Sequence, residues 1–134
     1  LEQFMFEPSR NQLNAVASVL VELQDCKCFY CNKPMRKGNY AVDHFIPWSM
    51  YPSDTGHNFV LADSSCNSKK SNLLASDEFL HKWQERNEEQ DLIIVDRISV
   101  LGFLTDKERS HKVAEWAYRQ ANENYYVKSN VINS

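Results

Sequence analysis

The stretch VDHFIPWSMYPSDTGHNFVLADSSCNSKK, residues 42–70, decides how the rest of the chain is read. Asp43 and His44 stand side by side at the end of a short apolar run; Asn58 follows fifteen residues after Asp43, Asn67 nine after that, and Lys69 and Lys70 close the stretch. Pro47, Pro52 and Gly56 keep residues 47–57 irregular, which predicts an Ω-like loop between two short strands. The strands expected are Tyr40 to His44, entered through a turn at Gly38-Asn39, and Phe59 to Leu61. A helix capped by Ser64 or Ser65 then carries Asn67, Lys69 and Lys70 and sets Asn67 across from Asp43.

The residue types suit one chemistry. Hydrolysis of a phosphodiester needs a base to deprotonate water and a cation to neutralise charge on the phosphorane and the leaving oxygen. His44 supplies the base, because imidazole titrates near neutrality. The Asp43 carboxylate and the Asn67 side-chain carbonyl are hard oxygen ligands for one divalent ion, Mg²⁺ or Mn²⁺, and leave positions for water and phosphate. Neighbours in a strand point to opposite sides, so Asp43 and His44 reach different partners. Taken singly, an Asp-His pair is more often a turn or a surface hydrogen bond, and an Asn such as Asn58 a loop residue. The joint spacing carries the reading.

At these spacings the residues resemble the HNH, or ββα-metal (His-Me finger), endonucleases, in the His-Asn-Asn form found in the HNH domain of RNA-guided CRISPR effector nucleases. Val42, Ile46-Pro47, Val60-Leu61 and Lys70 are similar as well. The resemblance implies a metal-dependent DNA endonuclease with Asp43 and Asn67 as metal ligands, His44 as general base, and products with 5′-phosphate and 3′-hydroxyl ends. It also implies that Asn58 pins the long loop to the strand carrying His44. Asn67 stands where many members have His, so the site is a variant one.

The preceding piece, DCKCFYCNKPMRKGNYAVDH, residues 25–44, holds three of the four cysteines. Cys28-Phe29-Tyr30-Cys31 followed by Asn32 reads as a knuckle whose two thiolates chelate one ion. In the zinc-bearing HNH branch a second pair precedes the last ligand, and the corresponding positions here are Asp63 and Cys66. The resemblance thus implies a structural Zn²⁺ on Cys28, Cys31 and Cys66, with Cys26 or Asp63 as the fourth group; a site without zinc stays open because Asp63 is not a cysteine. A redox pair at Cys28 and Cys31 lacks the surrounding βαβ pattern, and a disulfide is disfavoured in a chain expected to be cytoplasmic.

At 134 residues, with 43% hydrophobic and 25% charged residues, the chain suits one soluble domain with a core of its own. No apolar run approaches the ~20 residues needed to span a bilayer, and the start lacks a secretory signal. The net charge of −3 argues superficially against nucleic acid. Between Lys27 and Lys70, however, six bases (Lys27, Lys33, Arg36, Lys37, Lys69, Lys70) face three acids (Asp43, Asp54, Asp63). Lys69 and Lys70 are the expected phosphate contacts. The acidic run from Glu85 to Asp96 reads as a solvated helix face.

The flanks read as helical. Glu2 to Glu7, with Phe4, Met5 and Phe6, is expected as an extended lead-in; a first helix starts near Ser9 or Asn11 and buries Leu13, Val16, Leu20 and Leu23. Ser76 caps a helix with Phe79, Leu80 and Trp83 inward. The stretch Leu92 to Leu101 mixes β-branched residues with steps of three through Leu92, Val95, Ile98 and Leu101, and helix is the reading taken. Thr105 and Glu108 form a capping box for a last helix with Val113, Trp116, Ala117 and Ala121 on one face, and residues from Asn122 on read as a tail with a short extended piece at Tyr125 to Val127. Trp48, Met50 and Tyr51 are loop core or the lining of a DNA groove, and His57 is expected on the loop surface. The expectation is an α+β fold, a small ββα-metal core with a two-stranded antiparallel hairpin in a helical shell. It forms one HNH domain over 1–134: core about 26–72, N-terminal helix about 9–24, C-terminal helical part about 75–124. Its partner is DNA, alone or within a larger nuclease or defence complex, and no membrane. The rival readings are a zinc-knuckle binding module without catalysis and an RNA-cutting toxin.

Overall fold

In the computed structural model, which describes residues 8–123 and 127–128, helix α1 spans Arg10–Leu23 and begins at a reciprocal cap. Ser9 Oγ accepts from Gln12 N at 3.0 Å while Gln12 Oε1 accepts from Ser9 N at 2.9 Å, so two free helix-end donors are satisfied at once. Val16, Val19 and Leu20 are buried; Leu13 and Leu23 lie at the margin of that face. The helix stops where Asp25 and Cys26 adopt φ of 54° and 55°, left-handed values that end a right-handed helix. The expected lead-in with Phe4, Met5 and Phe6 lies outside the described residues.

Strand β1 (Tyr40–His44) pairs antiparallel with β2 (Phe59–Asp63), setting Asp43 opposite Val60 and His44 opposite Phe59. Helix α2 (Ser64–Lys70) follows at once. Its cap is Asp63 rather than Ser64 or Ser65: the chain is still extended at Asp63, whose Oδ1 accepts from Cys66 N at 2.7 Å. Loop, hairpin and α2 together give strand, loop, strand, helix within an α+β chain that has five α-helices among the described residues.

A two-residue strand β3 (Leu74–Ala75), invisible to sequence periodicity, pairs in parallel with β4 (Val127–Lys128). The expected tail therefore begins later than Asn122, since α5 (Lys107–Glu123) runs through that position, and Tyr125 lies outside the described residues. Helix α3 (Asp77–Glu89) buries Phe79 and Trp83, with Ser76 at the cap position but its hydroxyl unbonded to the backbone. Helix α4 (Asp91–Ser99) is helical as expected but turned differently: Ile94 and Ile98, four apart, face inward, while Leu92 is 82% exposed. The reason is Gly56, where an added Cβ would sit 3.0 Å from Ile98 Cγ2 and 3.4 Å from Ile94 Cγ2. The bare backbone there lets a 3₁₀ turn, Gly56–Asn58, lie flat on α4. Helix α5 is capped by Asp106, whose Oδ1 accepts from Arg109 N at 3.0 Å, not by Thr105. Its inner face is Ala114, Ala117, Tyr118 and Ala121, and Trp116 is turned out to solvent.

An aromatic stack joins these parts. Phe45, just past β1, lies on Trp83 of α3 with ring centroids 4.9 Å apart and planes 17° apart, and Phe29 of the knuckle meets Phe45 edge-on at 5.8 Å. Each such fully buried ring contributes about 1.5–3 kcal/mol by removal from water. No helix among the described residues is long and apolar enough to cross a membrane.

Candidate functional site

Asp43 and His44 diverge as adjacent strand residues must. Asp43 turns inward, 8% exposed, and its Oδ2 receives the Tyr30 hydroxyl at 2.6 Å and stands 3.4 Å from Lys70 Nζ. Both contacts fall on Oδ2, which leaves Oδ1 as the oxygen for a further ligand. His44 turns toward the loop, where its Nε2 lies 2.7 Å from Asp54 Oδ1. That pairing engages Nε2 and leaves Nδ1 as the nitrogen available to a water. Trp48, 49% exposed, stands edge-on to the imidazole at 5.7 Å, and Phe59 closes its other side at 5.5 Å.

The loop is fixed by Asn58. Fully buried, it accepts from Ile46 N through Oδ1 at 2.8 Å and donates through Nδ2 to Ile46 O at 2.9 Å, closing the loop onto the backbone two residues past His44. His57 is not a surface histidine: it is fully buried, with Nε2 2.7 Å from Asp91 Oδ1. Desolvation lowers its pKa against the opposing pull of Asp91. Its carbonyl receives Trp83 Nε1 at 2.8 Å and Arg86 Nη2 at 2.9 Å, so His57 belongs to the scaffold under the loop. Tyr51 is buried, Met50 partly so.

Helix α2 brings an unexpected group to the centre. Lys70, expected to touch phosphate from the surface, is fully buried, donating to His44 O at 3.1 Å beside Asp43. Desolvation lowers its pKa, with Asp43 pulling the other way. Its long stem lets the ammonium reach the carboxylate from the end of a short helix, which residue type alone does not show. Lys69 is half-buried, and Lys33, Arg36 and Lys37 are exposed. Asn67 lies three residues before Lys70, hence on the same face of α2.

The second cluster is a ligand set. Sγ of Cys28, Cys31 and Cys66 and a carboxylate oxygen of Asp63 lie within 4.8 Å of one another. Cys26 is not among them; its Sγ reaches Met35 O at 3.4 Å, so the fourth group is Asp63. Asp63 caps α2 with one oxygen and accepts from Cys31 Sγ at 3.1 Å with the other. Burial, with the neighbouring sulfurs and carboxylate, pushes the Cys31 and Cys66 thiols up, so a bound cation would favour their ionised, ligating form. The donors fit a metal ion. A knuckle turn builds the first half: Asn32 N donates to Cys28 O at 2.9 Å with Asn32 at φ 63°, and Phe29 N ties the turn to Leu61 O at 2.9 Å.

Two further residues belong to this site. Asp54 follows Pro52-Ser53 and reads as a turn residue; its distance of ten from His44 acquires meaning only when the loop folds back. Tyr30 reads as filler between cysteines. Neither carries a local signal.

Residues 28–76 match the HNH endonuclease family. The chain is also 36% identical over 67 residues to a CRISPR-associated endonuclease Cas9 of Corynebacterium diphtheriae, an alignment that takes in 49% of this chain and 6% of that protein. The chain therefore spans a small fraction of the length of this relative.

Proposed function

We propose that the chain, whose residues 28–76 match the HNH endonuclease family, is a metal-dependent DNA endonuclease that hydrolyses phosphodiester bonds. The observation that carries this reading is the divergence of Asp43 and His44, the first toward the buried Tyr30 hydroxyl and Lys70 ammonium and the second toward Asp54 of the loop. Asp43, through Oδ1, and Asn67 would hold one Mg²⁺ or Mn²⁺, an oxygen-ligand set suited to hard ions. When bound, that ion polarises the scissile phosphate and stabilises charge on the leaving oxygen. His44, held through Nε2 by Asp54, takes a proton from water at Nδ1. Asn58 keeps the loop, and with it Asp54, in reach of the imidazole. Lys69 with the exposed Lys33, Arg36 and Lys37 meets neighbouring phosphates.

For the cysteine cluster we assign Zn²⁺, since three soft sulfur ligands and one carboxylate within 4.8 Å of one another suit zinc better than a hard ion. Similarity to a CRISPR-associated endonuclease supports action inside a larger nuclease complex. The test is nicking of supercoiled plasmid with Mg²⁺ or Mn²⁺ by zinc-loaded protein. Nicking that disappears in His44→Ala is the expected result; DNA binding with no cleavage under any metal would leave the zinc-knuckle binding module as the function, and cleavage of RNA alone would make the chain a ribonuclease.

A further inference from the structure

The cysteine cluster and the Asp43 carboxylate lie on different segments, yet one side chain links them. Tyr30 lies between Cys28 and Cys31 in the chain, and its hydroxyl is 2.6 Å from Asp43 Oδ2. Little about its placement is free. The ring is 2% exposed and meets Phe29 at 5.1 Å and Phe79 at 5.4 Å, both edge-on. Its backbone is held by the knuckle turn, closed by Asn32 N to Cys28 O and by Cys28 N to Lys33 O, each at 2.9 Å.

We propose that Tyr30 is a positioning residue that couples the Cys28, Cys31, Asp63 and Cys66 metal site to the divalent-ion site on Asp43, so that the state of the first sets the affinity of the second. This rests on the reading that Asp43 is an ion ligand. The physical argument concerns the two oxygens of one carboxylate. With Oδ2 taken by Tyr30, the plane of the Asp43 carboxylate is fixed and Oδ1 is presented in one orientation. Without the hydroxyl, Oδ2 is left to Lys70 alone, 3.4 Å away, and the carboxylate is free to swing onto that ammonium in competition with an added cation. Hydrogen bonds to metal ligands act in this way generally, and their loss costs about 10–100-fold in metal affinity or activity. Fixing Cys28 and Cys31 on a common ion fixes both ends of the segment that carries the hydroxyl.

The experiment uses zinc-loaded protein and Mn²⁺ as probe, with affinity read from the electron paramagnetic resonance of free Mn²⁺ and no cleavage assay. Tyr30→Phe keeps the ring and should weaken Mn²⁺ binding about tenfold or more. Thiolate-to-metal absorption after Co²⁺ exchange at the cysteine site should be unchanged in the same variant. Asp43→Asn is the control, and in its background Tyr30→Phe should add no further loss. If Asp43→Asn weakens Mn²⁺ binding and Tyr30→Phe does not, this inference is overturned while the ion site stands; if neither weakens it, both fail. A measurement without mutation covers the case of a variant that does not fold. The assigned Tyr30 ¹³Cζ resonance should move during Mg²⁺ titration and saturate with the ion's own Kd, and a resonance that stays fixed overturns the proposal.

Discussion

The imidazole of His44 meets the carboxylate of Asp54 at 2.7 Å, from a loop residue ten positions later, and this contact decides which ring nitrogen faces water. Asp54→Asn keeps the shape but can offer its amide N–H to Nε2, favouring the tautomer with the proton on Nδ1, the nitrogen proposed to act as base. Cleavage should fall about tenfold or more, with Mn²⁺ affinity unchanged. Initial nicking rates alongside the Mn²⁺ titration check this; a parallel drop in metal affinity would count against Asp54 acting through His44.

His44→Ala removes the proposed base and leaves Asp43 and Asn67 in place. The nicking rate should drop by about 10²–10⁴, while metal binding and DNA binding, the latter followed by anisotropy, persist. Asn67→Ala should instead lower metal affinity and be partly rescued by excess Mn²⁺. A His44→Ala variant that cuts at the parent rate would remove His44 from the mechanism.

Lys70 and Lys69 are adjacent in sequence and should behave as opposites. Lys70→Ala strips the cation from a buried carboxylate, and breaking such a pair costs about 3–5 kcal/mol, so a large fall in Tm is expected. Lys69→Ala combined with Arg36→Ala and Lys37→Ala should leave Tm near the parent value and flatten the salt dependence of DNA binding, because phosphate contacts release counterions. An unchanged salt slope in the triple variant would place the DNA on another face.

Elemental analysis of carefully purified protein should find about one zinc per chain, and strong chelators should remove it only with loss of structure, as seen by circular dichroism. Asp63→Ala should be worse than loss of a ligand alone, since it also uncaps α2, an effect of about 0.5–2 kcal/mol. Asp63→Cys should retain the ion. Zinc-free protein with the same fold and Tm would refute the structural role.

Acid should destabilise the scaffold under the loop. The pKa values of His57 and His111 are both lowered from 6.5, chiefly by burial; for His57 Asp91 opposes the shift and Arg86 assists it, and around His111 Glu88, Glu108 and Glu115 oppose while Lys107 assists. The unfolded chain therefore binds more protons than the folded one between the depressed values and about 6.5. Stability is full above pH 6.5 and falls as pH drops below it. Chemical denaturation across that range should show the decline, shallower in His57→Gln; a flat profile would mean that neither imidazole titrates on unfolding.

Sequence alone determined the parts whose physics is local. Strand β1 from Tyr40 to His44, the loop breakers Pro47, Pro52 and Gly56, the Ser9 cap and the Cys28–Cys31 knuckle follow from alternation, restricted backbone angles and short side chains that bond their own neighbours. The divergence of Asp43 and His44 follows from strand geometry in the same way. Tertiary structure decided whatever depended on a partner far along the chain. It chose Asp63 over Cys26 as the fourth member of the cluster, drew Lys70 inward to Asp43, buried His57 against Asp91, turned Leu92 and Trp116 outward, and set Tyr30 on Asp43 and Asp54 on His44. The physical reason is that a buried charge or hydroxyl takes whichever complementary group the packed core leaves within about 3 Å, and that choice is made by the closing of the hairpin on α2 and α3 rather than by spacing along the sequence.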